Sequence, residues 1–140
     1  MKTIDLHQQY LRGEGGGVKA DLSGADLYGT NLVEVDLRGG NLAAANLRRG
    51  VLCHANLEGA NLAGANFKRG ILEGANLRNA LLKGTCLKGA NLERADLRGA
   101  DLQDADLEFA SLSNTLYDAE TCWPQGFDPV AAGARFLAVD

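Results

Sequence analysis

From Leu22 to Leu112 every fifth residue is leucine, with Phe67 the single exception, and the phase holds through nineteen consecutive units. Most centres are preceded by a polar residue and, one further back, by a small one. A period of five suits neither a helix of 3.6 residues per turn nor a strand that alternates every two, so the pattern predicts a coil whose corners recur at fixed intervals. That coil is a solenoid with two inward columns per unit, one wide and one narrow.

The five columns differ in chemistry. Two before the centre stand thirteen alanines, three glycines, two threonines and Val35, so this column points inward at a tight place. One before the centre, fourteen of nineteen residues are Asp or Asn, short side chains that hydrogen-bond nearby backbone at turns. Two after the centre, glycine stands nine times, as expected where a type II turn needs a positive φ. The column between varies and is mostly polar, which leaves it for the outside.

The units ADLSG, ADLYG, ANLEG, ANLAG, ANLRN and ADLRG resemble the A(D/N)LXX consensus of the pentapeptide-repeat family. The resemblance implies an all-β, right-handed quadrilateral parallel β-helix in which four units make one square coil and residues twenty apart stack along the axis. Nineteen units then form about five coils, roughly 24 Å tall at about 4.8 Å per coil. Leu22, Leu42, Leu62, Leu82 and Leu102 would form one of four inner columns.

Open ends of a stacked coil expose unpaired backbone and apolar rungs, so both flanks are expected to be covers. The expected division is an N-terminal helical cap over 1–14, the β-helix over 15–119 and a C-terminal cap over 120–140. In the first, Thr3 would cap a short helix ending at Arg12, with Gly13 just beyond it and Ile4, Leu11 and Tyr10 facing the coil. The run Gly13–Gly17 would link this helix to the repeats. Tyr117 keeps the phase of a twentieth unit, and Trp123 and Phe127 would lie over the last leucine rung. Asp128 and Pro129 would open a final short helix. The order of helix, Gly-Glu and coil, together with the WPQGFDP tail, looks like cyanobacterial family members, in which an aromatic usually stands where Gly17 stands here.

A net charge of −4 over 140 residues, with no long apolar run and no apolar secretory core in MKTIDLHQQY, leads to the expectation of a cytoplasmic protein outside the membrane. Cys53, Cys86 and Cys122 are an odd, unclustered set suited to a reducing compartment. The inventory of an enzyme is missing: His7 and His54 would stand far apart, Cys53 beside His54 is too little for a metal site, and the glycine run lacks the Lys-Ser/Thr of a phosphate loop. No catalytic, cofactor or metal site is expected.

Folded on its twenty-residue period, the chain collects Arg48, Arg49, Lys68, Arg69 and Lys88 on one face, with Tyr28 one coil earlier. Residues 38–98 hold ten bases against four acids, whereas 99–120 hold six acids and no base. The cationic stripe is either a solvated face that keeps the β-helix soluble or a docking surface for an acidic protein. Nucleic acid suits it less, because one aromatic accompanies it and the chain as a whole is acidic. On a second face Val33, Val51 and Ile71, with Cys53, form either a small contact or dimer patch or positions that tolerate β-branched residues. The expected function is a non-catalytic interaction module, a regulator or adaptor, acting as a monomer or as an end-to-end or face dimer. Some family members regulate cyanobacterial processes such as heterocyst differentiation. Others inhibit DNA gyrase by imitating duplex DNA, and that is the alternative. Against it, residues 20–114 carry twelve acids and ten bases, a net of only −2.

Overall fold

The computed structural model describes Ile4, His7, Gln8, residues 11–13 and residues 19–138. The repeats wind as a right-handed quadrilateral β-helix. Parallel bridges join residues twenty apart on each of four sides, running for example from Asp21 through Asn41, Asn61 and Leu81 to Asp101. Side two is centred on Leu27, Leu47, Phe67, Leu87 and Leu107, and side three on Leu32, Leu52, Leu72, Leu92 and Leu112.

Every corner closes in the same way. The Ala25 N–H donates to the Leu22 carbonyl at 3.0 Å, and the equivalent bond recurs in each unit to Thr115 and Leu112. The third residue of the turn has a positive φ at all nineteen positions from Gly24 to Asn114. Nine are the expected glycines, but ten are other residues, including Arg49 at φ 56° and Phe109 at φ 62°. The coil therefore imposes the left-handed conformation through its own bonds, such as Arg49 N–H to the Lys68 carbonyl at 3.0 Å, even where the side chain resists it. All fourteen Asp and Asn residues before the centres accept, through Oδ1, the backbone N–H two residues on. These bonds occupy N–H groups that point outward at the corner, where the ladder offers no partner.

The centres and the alanine column form one buried core, and Phe67 is fully enclosed. Where a buried threonine stands in the alanine column, its hydroxyl finds an acceptor: Thr85 Oγ1 donates to the Leu62 carbonyl at 2.8 Å and Thr115 Oγ1 to the Leu92 carbonyl at 2.6 Å.

At the N-terminal end Ile4, His7, Gln8 and Leu11 have helical backbone, and Gly13 follows at φ 73°. His7 is buried and its Nδ1 accepts the Ala20 N–H at 2.9 Å, while Gln8 Nε2 donates to the Asp36 carbonyl at 2.6 Å. Both bonds occupy backbone at the otherwise open edge of the first coil. Ile4 packs against the core. The expected cap Thr3, Tyr10 and Gly17 lie outside the described residues.

The C-terminal end departs from the expected phase. Strand β1, Leu116–Tyr117, continues side four and buries Tyr117, but Asp101 then bridges Cys122 rather than residue 121. One residue has been inserted. Thr121 thereby takes the alanine-column place, its Oγ1 donating to the Leu97 carbonyl at 2.9 Å like the threonines of the coils. Trp123 and Phe127 pack against the core as expected and stack on one another, with ring centroids 5.1 Å apart. The final helix does not form. Asp128 Oδ1 does accept the Ala131 N–H at 3.1 Å, but only a turn follows over 129–133 before Gly133 takes φ 91°. The chain needs that break to return along side four as β2, Arg135–Phe136, parallel to β1.

Candidate partner-binding surface

The cationic stripe lies on the corner between sides two and three, in the two columns that follow the side-two centres. Stacking is fixed by the ladder: Gly29 N–H to the Arg48 carbonyl at 2.9 Å, Arg49 to Lys68 at 3.0 Å, Arg69 to Lys88 at 2.9 Å and Gly89 to Glu108 at 2.9 Å. Arg48, Lys68 and Lys88 thus form one column over Tyr28, and Arg49 and Arg69 form the next. The structure brings all five together, as the period predicts. Arg48 sits over the Tyr28 ring, 5.9 Å from its centroid.

Three arginines elsewhere are engaged. Arg38 clamps Asp36 at 2.8 Å and Arg98 clamps Asp96 at 2.6 Å, each with two guanidinium nitrogens on the carboxylate, and Arg94 reaches Glu73 at 3.4 Å. Burial disfavours the ionised forms of Asp36 and Asp96, but the arginine hydrogen bonds and charge outweigh it and hold both carboxyls below their ordinary value. Among the described residues, none of the five stripe cations forms an ion pair. Arg48, Arg49 and Arg69 are exposed and the two lysines half-buried. Such a ridge holds its charge ready for an anion from outside.

Two features at the end of this corner escaped the sequence reading. Phe109, in the column of Arg49 and Arg69, is 79% exposed despite its left-handed backbone. Beside it, the incomplete tail leaves a hollow of about 340 Å³ whose lining includes Leu107, Pro124 and Phe127, with Glu108. Phe109 fills a variable position, and the hollow depends on the path of the tail, so only the glycine missing from that column was there to be read.

The apolar patch differs from expectation. Val51 and Ile71 bridge one another in the column before the side-three centres, but Val33 stands after its centre and lies under Cys53. The three therefore occupy two columns on either side of the side-three centres, not one stripe. Val33 and Ile71 are exposed and Val51 is half-buried. Leu81, 48% exposed on side one, is a further outward apolar residue that the reading omitted.

His7 and His54 are separated as anticipated, one buried under the first coil and one exposed on side three. Among the described residues no three His, Cys, Asp or Glu side chains are placed to share a metal ion, and no helix is long and apolar enough to cross a membrane.

The family model described as pentapeptide repeats, with eight copies, matches residues 18–42, 41–79 and 75–114. No curated protein matches the chain. Among solved structures, a pentapeptide repeat protein from Nostoc PCC 7120 is 30% identical, with 95% of this chain and 93% of that one covered and a TM-score of 0.38. A second, from the cyanobacterium Cyanothece 51142, is 31% identical over 88% of this chain and 99% of its own, with a TM-score of 0.46. HetL of Nostoc sp. strain PCC 7120, a pentapeptide repeat protein involved in heterocyst differentiation regulation, is 30% identical over 84% of this chain and 64% of its own, with a TM-score of 0.47.

Proposed function

The chain belongs to the pentapeptide-repeat family, and on that premise we propose that it works as a non-catalytic, cytoplasmic interaction module, a regulator or adaptor that docks an acidic protein. Pentapeptide-repeat proteins are generally structural or interaction modules. The single observation that supports the docking site is the set of five cations, Arg48, Arg49, Lys68, Arg69 and Lys88, that form no ion pair among the described residues and stack over three coils on a rigid corner. A rigid scaffold loses little conformational freedom on binding, and an exposed charge ridge speeds encounter with a partner of opposite sign. The regulatory role of HetL in its own organism is in keeping with this reading.

The test is affinity capture from lysate with the wild type beside Arg49→Glu/Lys68→Glu, the bound proteins being identified by mass spectrometry. An acidic partner retained by the first and lost by the second is the expected result, with the thermal transition unchanged. Equal capture by both would make the stripe a solubilising surface. Recovery of topoisomerase subunits by both would favour the DNA-mimic alternative and direct attention to the acidic residues of 99–120.

A further inference from the structure

We infer that the occupant of this corner is an acidic amphipathic α-helix lying along the solenoid axis, with its carboxylates on the cations and an apolar side chain in the hollow beside Glu108. The inference rests on the docking reading above and adds the shape and spacing of the partner.

Arg48, Lys68 and Lys88 stand one rung apart, so the three anion sites fall at about 0, 4.8 and 9.6 Å along the axis. A helix rising about 1.5 Å per residue places side chains of one face at residues one, four and eight, or at about 0, 4.5 and 10.5 Å. An extended strand presents a same-face side chain only every 6.8 Å or so, and it falls out of step by the third site. The helix matches the ladder of cations, and the strand does not.

The corner continues in the same register. One rung beyond Lys88 the column reaches Glu108, held by the Gly89 N–H at 2.9 Å, and there the charge changes sign. A fourth carboxylate would be repelled at that point. What the corner offers instead is apolar: Phe109 in the neighbouring column and the hollow with Leu107, Pro124 and Phe127. The eleventh residue of the same helix face lies at about 15 Å, against roughly 14 Å for the Glu108 rung. Charge thus sets register as well as attraction, because sliding the helix by one rung would bring a carboxylate to Glu108.

Phe109 supplies a second, independent observation. A bulky side chain in the left-handed region is held against its preference, and this one is exposed rather than packed. The backbone conformation is shared with nine other corners that lack glycine, and what sets Phe109 apart is a large ring 79% exposed at the end of the cationic columns, the kind of side chain that anchors a contact outside the fold. Removing the side chain should therefore relieve the coil while harming the contact, which separates a binding role from a structural one.

A fluorescent peptide with glutamates at its first, fourth and eighth positions and leucine at its eleventh is titrated with the full chain. The control peptide has the same composition with glutamates at every second position. The helix-spaced peptide should bind about tenfold more tightly than the control and more weakly as salt is raised. Asparagine in place of its leucine should weaken it about fivefold, and so should Phe109→Gly, with the thermal midpoint of that variant equal to or above wild type. Equal affinity for both spacings, no binding of either peptide, or tighter binding of oligothymidine of the same charge would each overturn the helix. In those cases the docking reading would still stand or fall by Arg49→Glu/Lys68→Glu in the capture experiment. Binding of the helix-spaced peptide that this double variant leaves unchanged would overturn both.

Discussion

The middle coils and the end coils are built from the same five-residue unit, yet they are sealed differently. The centres from Leu37 to Leu97 are at most 1% exposed, whereas Leu22, Leu27 and Leu32 in the first coil and Leu107 in the last are exposed by 6–8%. In the middle, each leucine is covered above and below by identical neighbours, and the ladder pairs the backbone on both edges. At the ends half of that is missing, and unrelated residues supply it: His7 and Gln8 by hydrogen bonds at one end, Tyr117, Trp123 and Phe127 by aromatic packing at the other. A repeat makes its own interior but not its own boundary.

The largest expected effects test that contrast within one column. Leu62→Ala should cost about 3–5 kcal/mol, because the square coil cannot collapse into the cavity, while Leu22→Ala should cost about 2 kcal/mol under a looser cover. Leu62→Asp, which leaves a carboxylate without a partner in the core, should abolish the folded state. Denaturant midpoints of the paired alanine variants check this. Equal losses would mean that the helical cover seals the first coil as well as a further coil would.

Next in size is the aromatic lid. Trp123→Ala removes the ring that stacks on Phe127 and meets Tyr117 edge-on at 5.5 Å, and about 2–3 kcal/mol should go with it. Hydrogen exchange should accelerate first in 100–117 and leave the middle coils protected. Uniform acceleration through all coils would mean that the solenoid opens only as a whole, and the comparison between middle and ends would lose its dynamic content.

The difference between the coils and their covers also explains what could be read from the sequence. Column identity was legible because nineteen copies average out every local exception, so that Phe67, Thr85 and Cys86 do not disturb the phase. The insertion before Cys122 was not, because Tyr117 still falls on the old period and nothing repeats after it to show the slip. Its trace lies in Thr121, which makes the bond of Thr85 and Thr115 from a place six rather than five residues after Thr115. The cationic stripe was legible as charge in register. Phe109 and the hollow that extend it were not, since one depends on strain and the other on the tail. Val33 was misplaced because assignment to a side does not specify whether a residue stands before or after its centre.

His7 gives a smaller and pH-dependent effect at the opposite end. Burial lowers its pKa from 6.5, and Lys19 and Arg38 push the same way, against the Arg38 backbone hydrogen bond and the Asp36 carboxylate. The neutral ring is the form that accepts the Ala20 N–H. Its contribution is therefore complete above pH 6.5 and is lost as the pH falls through that value toward the lowered one, since the unfolded chain takes up the proton first. His7→Ala should cost about 1 kcal/mol at pH 8 and flatten the stability profile as the pH falls below 6.5. An unaltered profile in the variant would assign that dependence to other groups.

The smallest effects belong to the column of left-handed corners, where Ala44 and Gly64 stand one above the other at φ 59° and 66°. A Cβ added at Gly64 would meet nothing within 4 Å, so Gly64→Ala isolates the backbone preference from packing. It should destabilise by about 1 kcal/mol, and Ala44→Gly should stabilise by nearly as much, reduced by the greater freedom glycine regains on unfolding. At Gly99 the same methyl would collide with the Asn79 amide, which can swing into solvent, so the further cost there should be slight. Ten such corners without glycine are tolerated because each is held by a turn bond and, at most of them, by a bond to the next coil. If Ala44→Gly and Gly64→Ala both prove neutral, the unfolded-state entropy of glycine offsets the relief of strain in full. The nine glycines would then contribute no stability over alanine at such corners, and the choice between glycine and a side chain there would be free to serve the surface, as it does at Arg49, Arg69 and Phe109.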